Sequence, residues 1–252
     1  MIDLRKGDCL EVMKQIPSGS VDAIITDPPY GTTQCKWDSV IDFSLMWEQL
    51  NRIIKPNGAI VLFGSEPFSS ALRMSNIKNY KYDWKWNKIQ GSGFLNAKKM
   101  PLKTIEDILI FYEKLPTYNP QGLKEIKNKK VQCNSIAKQT FNKGGLTTHN
   151  GGRLKGIYIT EYTNYPTQLI SEKKIRRGRL HPTQKPIALM EYLIKTYTNE
   201  NETVLDFTMG SGSTGVAAKN LNRNFIGIEQ DDKYFDIATE RINKEEPQKE
   251  LF

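Results

Sequence analysis

The sequence predicts an α/β protein with a doubly wound, mostly parallel sheet and an inserted, loop-rich region. Three features carry that prediction. Short apolar runs of strand length, such as 21–26, 59–63 and 203–207, alternate with stretches whose apolar residues recur at helical spacing. The run 203–207 passes into Thr208-Met209-Gly210-Ser211-Gly212-Ser213-Thr214-Gly215, a glycine-rich turn that follows a strand and opens a helix. From Lys114 to Leu180 the apolar periodicity breaks, and Gly, Asn, Thr and Lys dominate.

The chain has 252 residues, 38% hydrophobic and 25% charged, which suits one α/β domain with an insertion and a sizeable core. Its apolar runs are too short to span a bilayer, and the start, Met1-Ile2-Asp3-Leu4-Arg5-Lys6, lacks the apolar segment of a signal peptide, so a cytoplasmic setting is expected. Cys9, Cys35 and Cys133 are odd in number and widely spaced, suggesting neither a disulfide framework nor a metal site. The net charge of +8 is regional: 114–180 holds 14 Lys and Arg against Glu125, Glu161 and Glu172, while the remainder is slightly acidic. A basic segment of this kind suits a polyanionic partner or a solvated loop.

In order, Ile2 and Leu4 mark a short strand, and Leu10, Met13 and Ile16 fall at helical spacing after Gly7-Asp8-Cys9. Val21–Thr26 reads as a buried strand that Asp27-Pro28-Pro29-Tyr30 stops abruptly, since neither proline can donate to a sheet ladder and each fixes φ near −65°. A carboxylate and an aromatic ring are thereby held on a stiff turn at a strand's carboxyl end, where open α/β sheets bind ligands. The polar loop 31–38, with Trp37, is a candidate lid or a plain connection. A helix with Phe43, Met46, Trp47, Leu50, Ile53 and Ile54 on one face is ended by Pro56-Asn57-Gly58, before the strand 59–63 and a short helix from Phe68. Tyr82–Asn87 alternates like a half-buried strand, with Trp84 and Trp86 as core aromatics or pocket walls, and 108–112 reads as another strand. His181-Pro182-Thr183-Gln184-Lys185-Pro186 leads into a helix over 187–197. The last strand is 224–229, and Asp231 can cap the final helix.

Gly210, Gly212 and Gly215 fit G-x-G-x-x-G, and Glu229 stands at the end of the next strand, where an acid can accept hydrogen bonds from ribose hydroxyls. A nicotinamide-dependent oxidoreductase is one reading of that pattern. Its position argues otherwise: after Glu229 there is room for one helix, so strands from the N-terminal part must complete the sheet.

The order DPPY, basic region, glycine loop resembles that of the β-group amino-methyltransferases of DNA. The matching elements are Asp27–Tyr30, His181–Pro186, Asp206–Gly212 and Phe225–Glu229, spread over nearly the whole chain apart from the basic insert. The resemblance implies a Rossmann-like methyltransferase fold, circularly permuted, with residues 1–113 and 181–252 as the catalytic domain and 114–180 as the target-recognition region. It implies S-adenosylmethionine as cofactor, with Asp8, Cys9, Asp27, Thr183, Lys185, Asp206, Phe207, Gly210, Gly212, Ser213, Thr214 and Glu229 around it. Asp206–Gly212 would wrap the methionine part, Ser213 and Thr214 would lie near its carboxylate, and Lys185 would neutralise that carboxylate with help from Thr183. Glu229 would hold the ribose, and Asp8 the adenine amino group beside the Cys9 backbone; helix capping and a solvated charge are the other readings of Asp8 and Lys185.

By the same resemblance Asp27, Pro28, Pro29 and Tyr30 are catalytic. Asp27 and the Pro28 carbonyl would accept the N–H groups of an exocyclic amine, and Tyr30 would stack on a base flipped from double-stranded DNA. Aspartate in DPPY favours adenine N6 over cytosine N4. No cysteine follows a proline, which argues against a cytosine-ring enzyme. Lys127, Lys129, Lys130, Lys173, Lys174, Arg176, Arg177 and Arg179 would meet phosphates, while Asn150, Arg153, Asn164 and Gln168 could read base edges. A catalytically silent DNA-binding protein, and a methyltransferase acting on RNA or a protein glutamine, are weaker alternatives. A homodimer and a restriction endonuclease partner are left open.

Overall fold

Val21–Thr26 forms β2, whose Val21, Ala23, Ile24, Ile25 and Thr26 are buried. An apolar strand covered on both faces belongs inside a parallel sheet, and β2 pairs in parallel with β3 (Ile54–Gly64) and β9 (Thr203–Asp206). The computed structural model describes residues 1–31, 39–133, 157–175 and 177–244, with backbone alone for 127–133 and 157–160. It divides into two compact units, Met1–Asn119 with Thr167–Phe252, and Pro120–Pro166.

In the larger unit, the described strands form one sheet in the order β1-β10-β9-β2-β3-β5-β4-β8. Here β1 is Ile2–Lys6, β4 Tyr80–Ser92, β5 Lys103–Phe111, β8 Leu169–Ser171 and β10 Asn224–Glu229. The five strands from β1 to β3 run parallel, and β5 is antiparallel to both of its neighbours. One face carries α1 (Cys9–Met13), α2 (Phe43–Ile53) and α3 (Phe68–Ser75), where Met13, Met46, Leu50, Ile53 and Leu72 pack on Ile24, Leu62 and Ile228. The other carries α4 (Ile187–Tyr197), α5 (Ser213–Asn220) and α6 (Asp232–Asn243), where Leu193, Tyr197, Ala217, Ala238 and Ile242 pack on Ile25, Val61 and Phe225. Helices on both faces make the sheet doubly wound, as expected from the sequence.

Local chemistry sets the boundaries. Asp42 caps α2 by accepting from the Leu45 N–H at 3.0 Å, and Asp231 caps α6 through the Tyr234 N–H at 3.0 Å. Helix α2 passes directly into β3 at Ile54, so Pro56-Asn57-Gly58, expected to be a turn after the helix, instead forms a bulge inside the strand between the Val21↔Ile54 and Ala23↔Ala59 pairs. Trp84 and Trp86 are buried in the core: the Trp84 Nε1–H donates to the Tyr197 hydroxyl at 2.7 Å and the Trp86 Nε1–H to the Glu172 carbonyl at 2.8 Å.

The expected insert of 114–180 is longer than the second compact unit. Residues from Thr167 group with the larger unit, because β8 pairs with Lys85–Asn87 and satisfies the outer edge of β4. The smaller unit holds β6 (Lys124–Cys133) and β7 (Ile157–Thr163), an antiparallel pair in which the Asn164 amide donates to the Gly122 carbonyl at 2.6 Å. Trp37 and most of its loop lie outside the described residues. Among the described residues, no helix is long and apolar enough to cross a membrane, and no cluster of His, Cys, Asp and Glu could hold a metal.

Helix α5 approaches its neighbours through Gly215, where a Cβ would lie 2.4 Å from Ile242 Cδ1 and 2.7 Å from Phe225 Cε1. Gly215→Val is expected to overpack this contact by about 1–3 kcal/mol. The expected readout is a melting midpoint lowered by several degrees; an unchanged midpoint would show that α5 can move away at no cost.

Candidate active site

The carboxyl ends of β2 and β9 meet because Ile24 pairs with Leu205. That places Thr26 and Asp206, 180 residues apart, side by side. The buried Asp206 carboxylate accepts from Thr26 Oγ1 at 2.6 Å, the Thr208 N–H at 3.1 Å and Thr214 Oγ1 at 2.5 Å. Thr208 Oγ1 donates in turn to the Asp27 carbonyl at 3.2 Å. Burial pushes the Asp206 carboxyl up to about 6, against the pull of those hydrogen bonds. The Asp206 carboxylate and the Thr214 hydroxyl are therefore spent on joining the two loops.

Both loops line one cavity of about 250 Å³, with Asp27, Pro28, Pro29 and Tyr30 on one side and Phe207, Gly210, Ser213 and Glu229 on the other. The glycine loop turns through Gly212, at φ +77, whose N–H donates to the Met209 carbonyl at 2.8 Å. Glu229 accepts the Gly210 N–H on Oε2 and the Asp231 N–H on Oε1, each at 2.9 Å. The Gln230 N–H is a third donor to this carboxylate, which has about four lone-pair sites and so keeps acceptor capacity for a ligand. Ser213 Oγ is buried at the start of α5 and has no hydrogen-bond partner among the described residues. An orphaned buried hydroxyl beside a glycine turn and a carboxylate fits the methionine and ribose ends of an adenosine-type cofactor.

Asp8 both lines the cavity and caps α1, its Oδ1 accepting from Leu10 N at 2.9 Å and Glu11 N at 3.3 Å. Cys9 is beside it; burial pushes its thiol up to about 12, so it is neutral and unreactive at neutral pH.

The principal surprise concerns Lys185. The resemblance assigned it to a cofactor carboxylate, but its buried ammonium pairs with Asp27 Oδ2 and lies 3.6 Å from Glu106 Oε2. In a pocket walled by Phe63 and Trp86, an ammonium needs anions within reach, and these two are the nearest. Burial alone would lower its pKa, yet Asp27 and Glu106 outweigh burial and raise it. The reverse balance holds Glu106 below the usual carboxylate range: burial opposes, and Lys185 with Lys88, 2.8 Å away, prevails. Burial raises Asp27 despite Lys185, and Asp27 Oδ1 accepts the Tyr30 hydroxyl at 2.5 Å. Tyr30 is also stacked on Phe68 at 4.9 Å.

Glu106 and Lys88 were not legible as site residues in the sequence. Neither stands out on a strand pair that also carries Lys81, Asp83, Lys85, Lys103 and Asp107. Thr183 Oγ1 lies 3.0 Å from His181 Nδ1, and burial pushes His181 down to about 4, so it is neutral at pH 7.

Lys173, Arg177 and Arg179 are exposed, and Lys174 is half-buried. Lys127, Lys129 and Lys130 fall on β6, where side chains are not described; Asn150, Arg153 and Arg176 lie outside the described residues. Gln168 and Asn164, expected to read base edges, also make contacts within the chain: the Gln168 amide donates to Asp83, and Asn164 holds a turn at φ +63.

An edge that can seat an adenosine-type cofactor next to a hydrogen-bond acceptor for an amine defines a group-transfer enzyme of the nucleotide-binding α/β class. Comparison with known proteins narrows it: a family model described as DNA methylase matches residues 21–240, and the chain belongs to that family. Type II methyltransferase M.HpaI of Haemophilus parainfluenzae is 28% identical over 251 residues, covering 94% of this chain and 73% of that protein. M.HinfI of Haemophilus influenzae is 28% identical over 280 residues, covering 96% and 68%. Among solved structures, an M1.HpyAVI–SAM complex superposes with a TM-score of 0.63 at 29% identity, covering 97% of this chain and all of that one.

Two expected outcomes follow from the charges. The folded-state value of about 6 for Asp206 exceeds its ordinary 3.8, so the stability it contributes is complete below pH 3.8 and is lost as pH rises through 6. Asp206→Asn cannot titrate, and its stability should change by about 2 kcal/mol less than the parent's between pH 4 and 7; urea unfolding at both pH values reads this. Lys185→Met removes the cation that lowers Asp27, so the acid limb of the methyl-transfer pH–rate profile should move to higher pH. An unmoved limb would detach Lys185 from the charge state of Asp27.

Proposed function

We propose that this DNA methylase transfers a methyl group from S-adenosylmethionine to the exocyclic N6 of an adenine flipped out of double-stranded DNA. The observation that carries the reading is the single cavity shared by Asp27–Tyr30 and the glycine loop. The cofactor supplies an electrophilic methyl group on a sulfonium. Glu229 holds its ribose, and Ser213 Oγ with the adjacent helix start takes its methionine end. Asp206 acts one step removed, by fixing Thr214 and Thr26 beneath the loop.

Asp27 and the Pro28 carbonyl accept the two amine hydrogens and draw the nitrogen lone pair out of conjugation with the ring. Holding that nitrogen in line with the methyl group supplies most of the acceleration by proximity. As nitrogen turns cationic, the Asp27 carboxylate stabilises it and receives the displaced proton. The surrounding charges suit this: Asp27 and Glu106 balance Lys185 and Lys88, so the cluster starts neutral and can accept a developing positive charge. Tyr30, fixed by Phe68 and by its hydroxyl bond to Asp27, walls the base pocket.

The basic region 114–180 is the target-recognition region in this reading, with exposed Lys173, Arg177 and Arg179 on phosphates. Pairing with a restriction endonuclease is supported by the Type II designation of the relatives, and homodimerisation by the family likeness.

Incubation with unmethylated DNA and labelled S-adenosylmethionine, followed by nucleoside mass spectrometry, is expected to give N6-methyladenine. N4-methylcytosine would overturn the base assignment. Asp27→Ala should lower the transfer rate by roughly 10²–10⁴-fold with cofactor binding retained; a normal rate would remove the role given to this carboxylate.

A further inference from the structure

Resting on the DNA-methylase reading, we propose that the tip of the β4–β5 hairpin is a wedge that opens the duplex beside the target base. Phe94 and Leu95 enter the base stack, and Lys98 and Lys99 hold the flanking phosphates.

Strand register fixes where the tip stands. Thr26 pairs with Leu62, and Gly64, two residues further, pairs with Asp107. Residues 106 down to 103 therefore continue past the carboxyl edge that carries Asp27, by about 13 Å at the usual rise per strand residue. Glu106, beside Lys185, roots the hairpin at the catalytic carboxylate. On the β4 side, Asn87 pairs with Ile105 and Ser92 with Lys103, so a bulge lies between them. It includes Ile89 at φ +63, a conformation a β-branched residue rarely adopts. Bulges of this kind re-aim strands next to active sites.

The tip itself is built rather than loose. Phe94–Asn96 form a 3₁₀ turn, with Asn96 N donating to Gly93 O at 2.9 Å and Lys99 N to Asn96 O at 2.8 Å. Below it, Leu102 packs so closely on Gly91 that a Cβ there would stand 2.7 Å from Leu102 Cβ. On this ordered turn Leu95 is 100% exposed, Phe94 69% and Met100 58%. Single exposed apolar residues are ordinary, but three together on a projecting turn mark a contact surface.

The charge chooses the partner. From Lys88 to Ile105 there is no acid, and Lys98, Lys99 and Lys103 are exposed. Apolar side chains flanked by lysines match a base stack between two phosphate rails. A second copy meeting the tip about a two-fold axis would find no carboxylate there.

The test begins by mapping the modified base in plasmid DNA, then compares two short duplexes, one with that base paired and one with an abasic site opposite it. The wedge matters only where a paired base must be extruded. The double variant Phe94→Ala, Leu95→Ala is expected to lose at least ten-fold in rate on the paired duplex and under three-fold on the unpaired one. Equal losses on both, or no loss on the paired duplex, would overturn the wedge. Lys98→Ala with Lys99→Ala should make the dependence of log affinity on log salt shallower by about 1.8, and an unchanged slope would overturn the phosphate contacts. A dimer in sedimentation that the apolar variant abolishes, with its paired-duplex rate intact, would reassign the tip to self-association. Failure of the unaltered protein to methylate any DNA would remove the underlying reading too, and is distinct from failure of the variants to differ.

Discussion

The buried carboxylate of Asp206 is the constraint on which the site depends. It gathers a threonine from the end of β2, another from the start of α5 and a backbone N–H from the turn between β9 and α5. Those hydrogen bonds convert adjacency of two strands into a fixed relation between two loops. Asp27 hangs from one loop and the glycine turn from the other, so their separation cannot drift without breaking bonds in a region closed to water. A buried carboxylate with fewer donors would be expensive to keep.

A second level of order is electrostatic. Asp27 does not wait in solvent as a free carboxylate; Lys185 and Tyr30 hold its two oxygens. Taken alone, such a lysine would leave an unbalanced positive charge beside that carboxylate. Glu106 supplies a second negative charge beside that ammonium, and Lys88 completes the balance. Four charges, from the turn after β2, from β4, from β5 and from the segment before α4, thus form one unit, and its chemistry belongs to the unit rather than to any member.

Much of this was legible from residues alone. The strand 224–229, the helix 187–197 and the Asp231 cap follow from local pattern, and the structure places each where the pattern does. The meeting of Tyr30 and Gly210 in one cavity followed from the order of motifs. What was missed depends on distant partners. Leu169–Ser171 is too short to show alternation, and becomes a strand only because β4 offers an unpaired edge. Lys185 was assigned by analogy to a ligand, whereas the residues around it in space, Asp27 and Glu106, are 158 and 79 positions away in sequence. Long-range ion pairing leaves no local trace in a sequence.

The strand order has a consequence for biosynthesis. During translation β2 can recruit β3 at once, but its other sheet neighbour, β9, follows about 180 residues later in the chain. Until then one flank of the buried strand β2, and the whole of β1, whose partner is β10, stay open. A nascent polypeptide of this topology carries a sticky, half-built sheet until β9 and β10 are made, so chaperone demand should concentrate there rather than on the finished molecule.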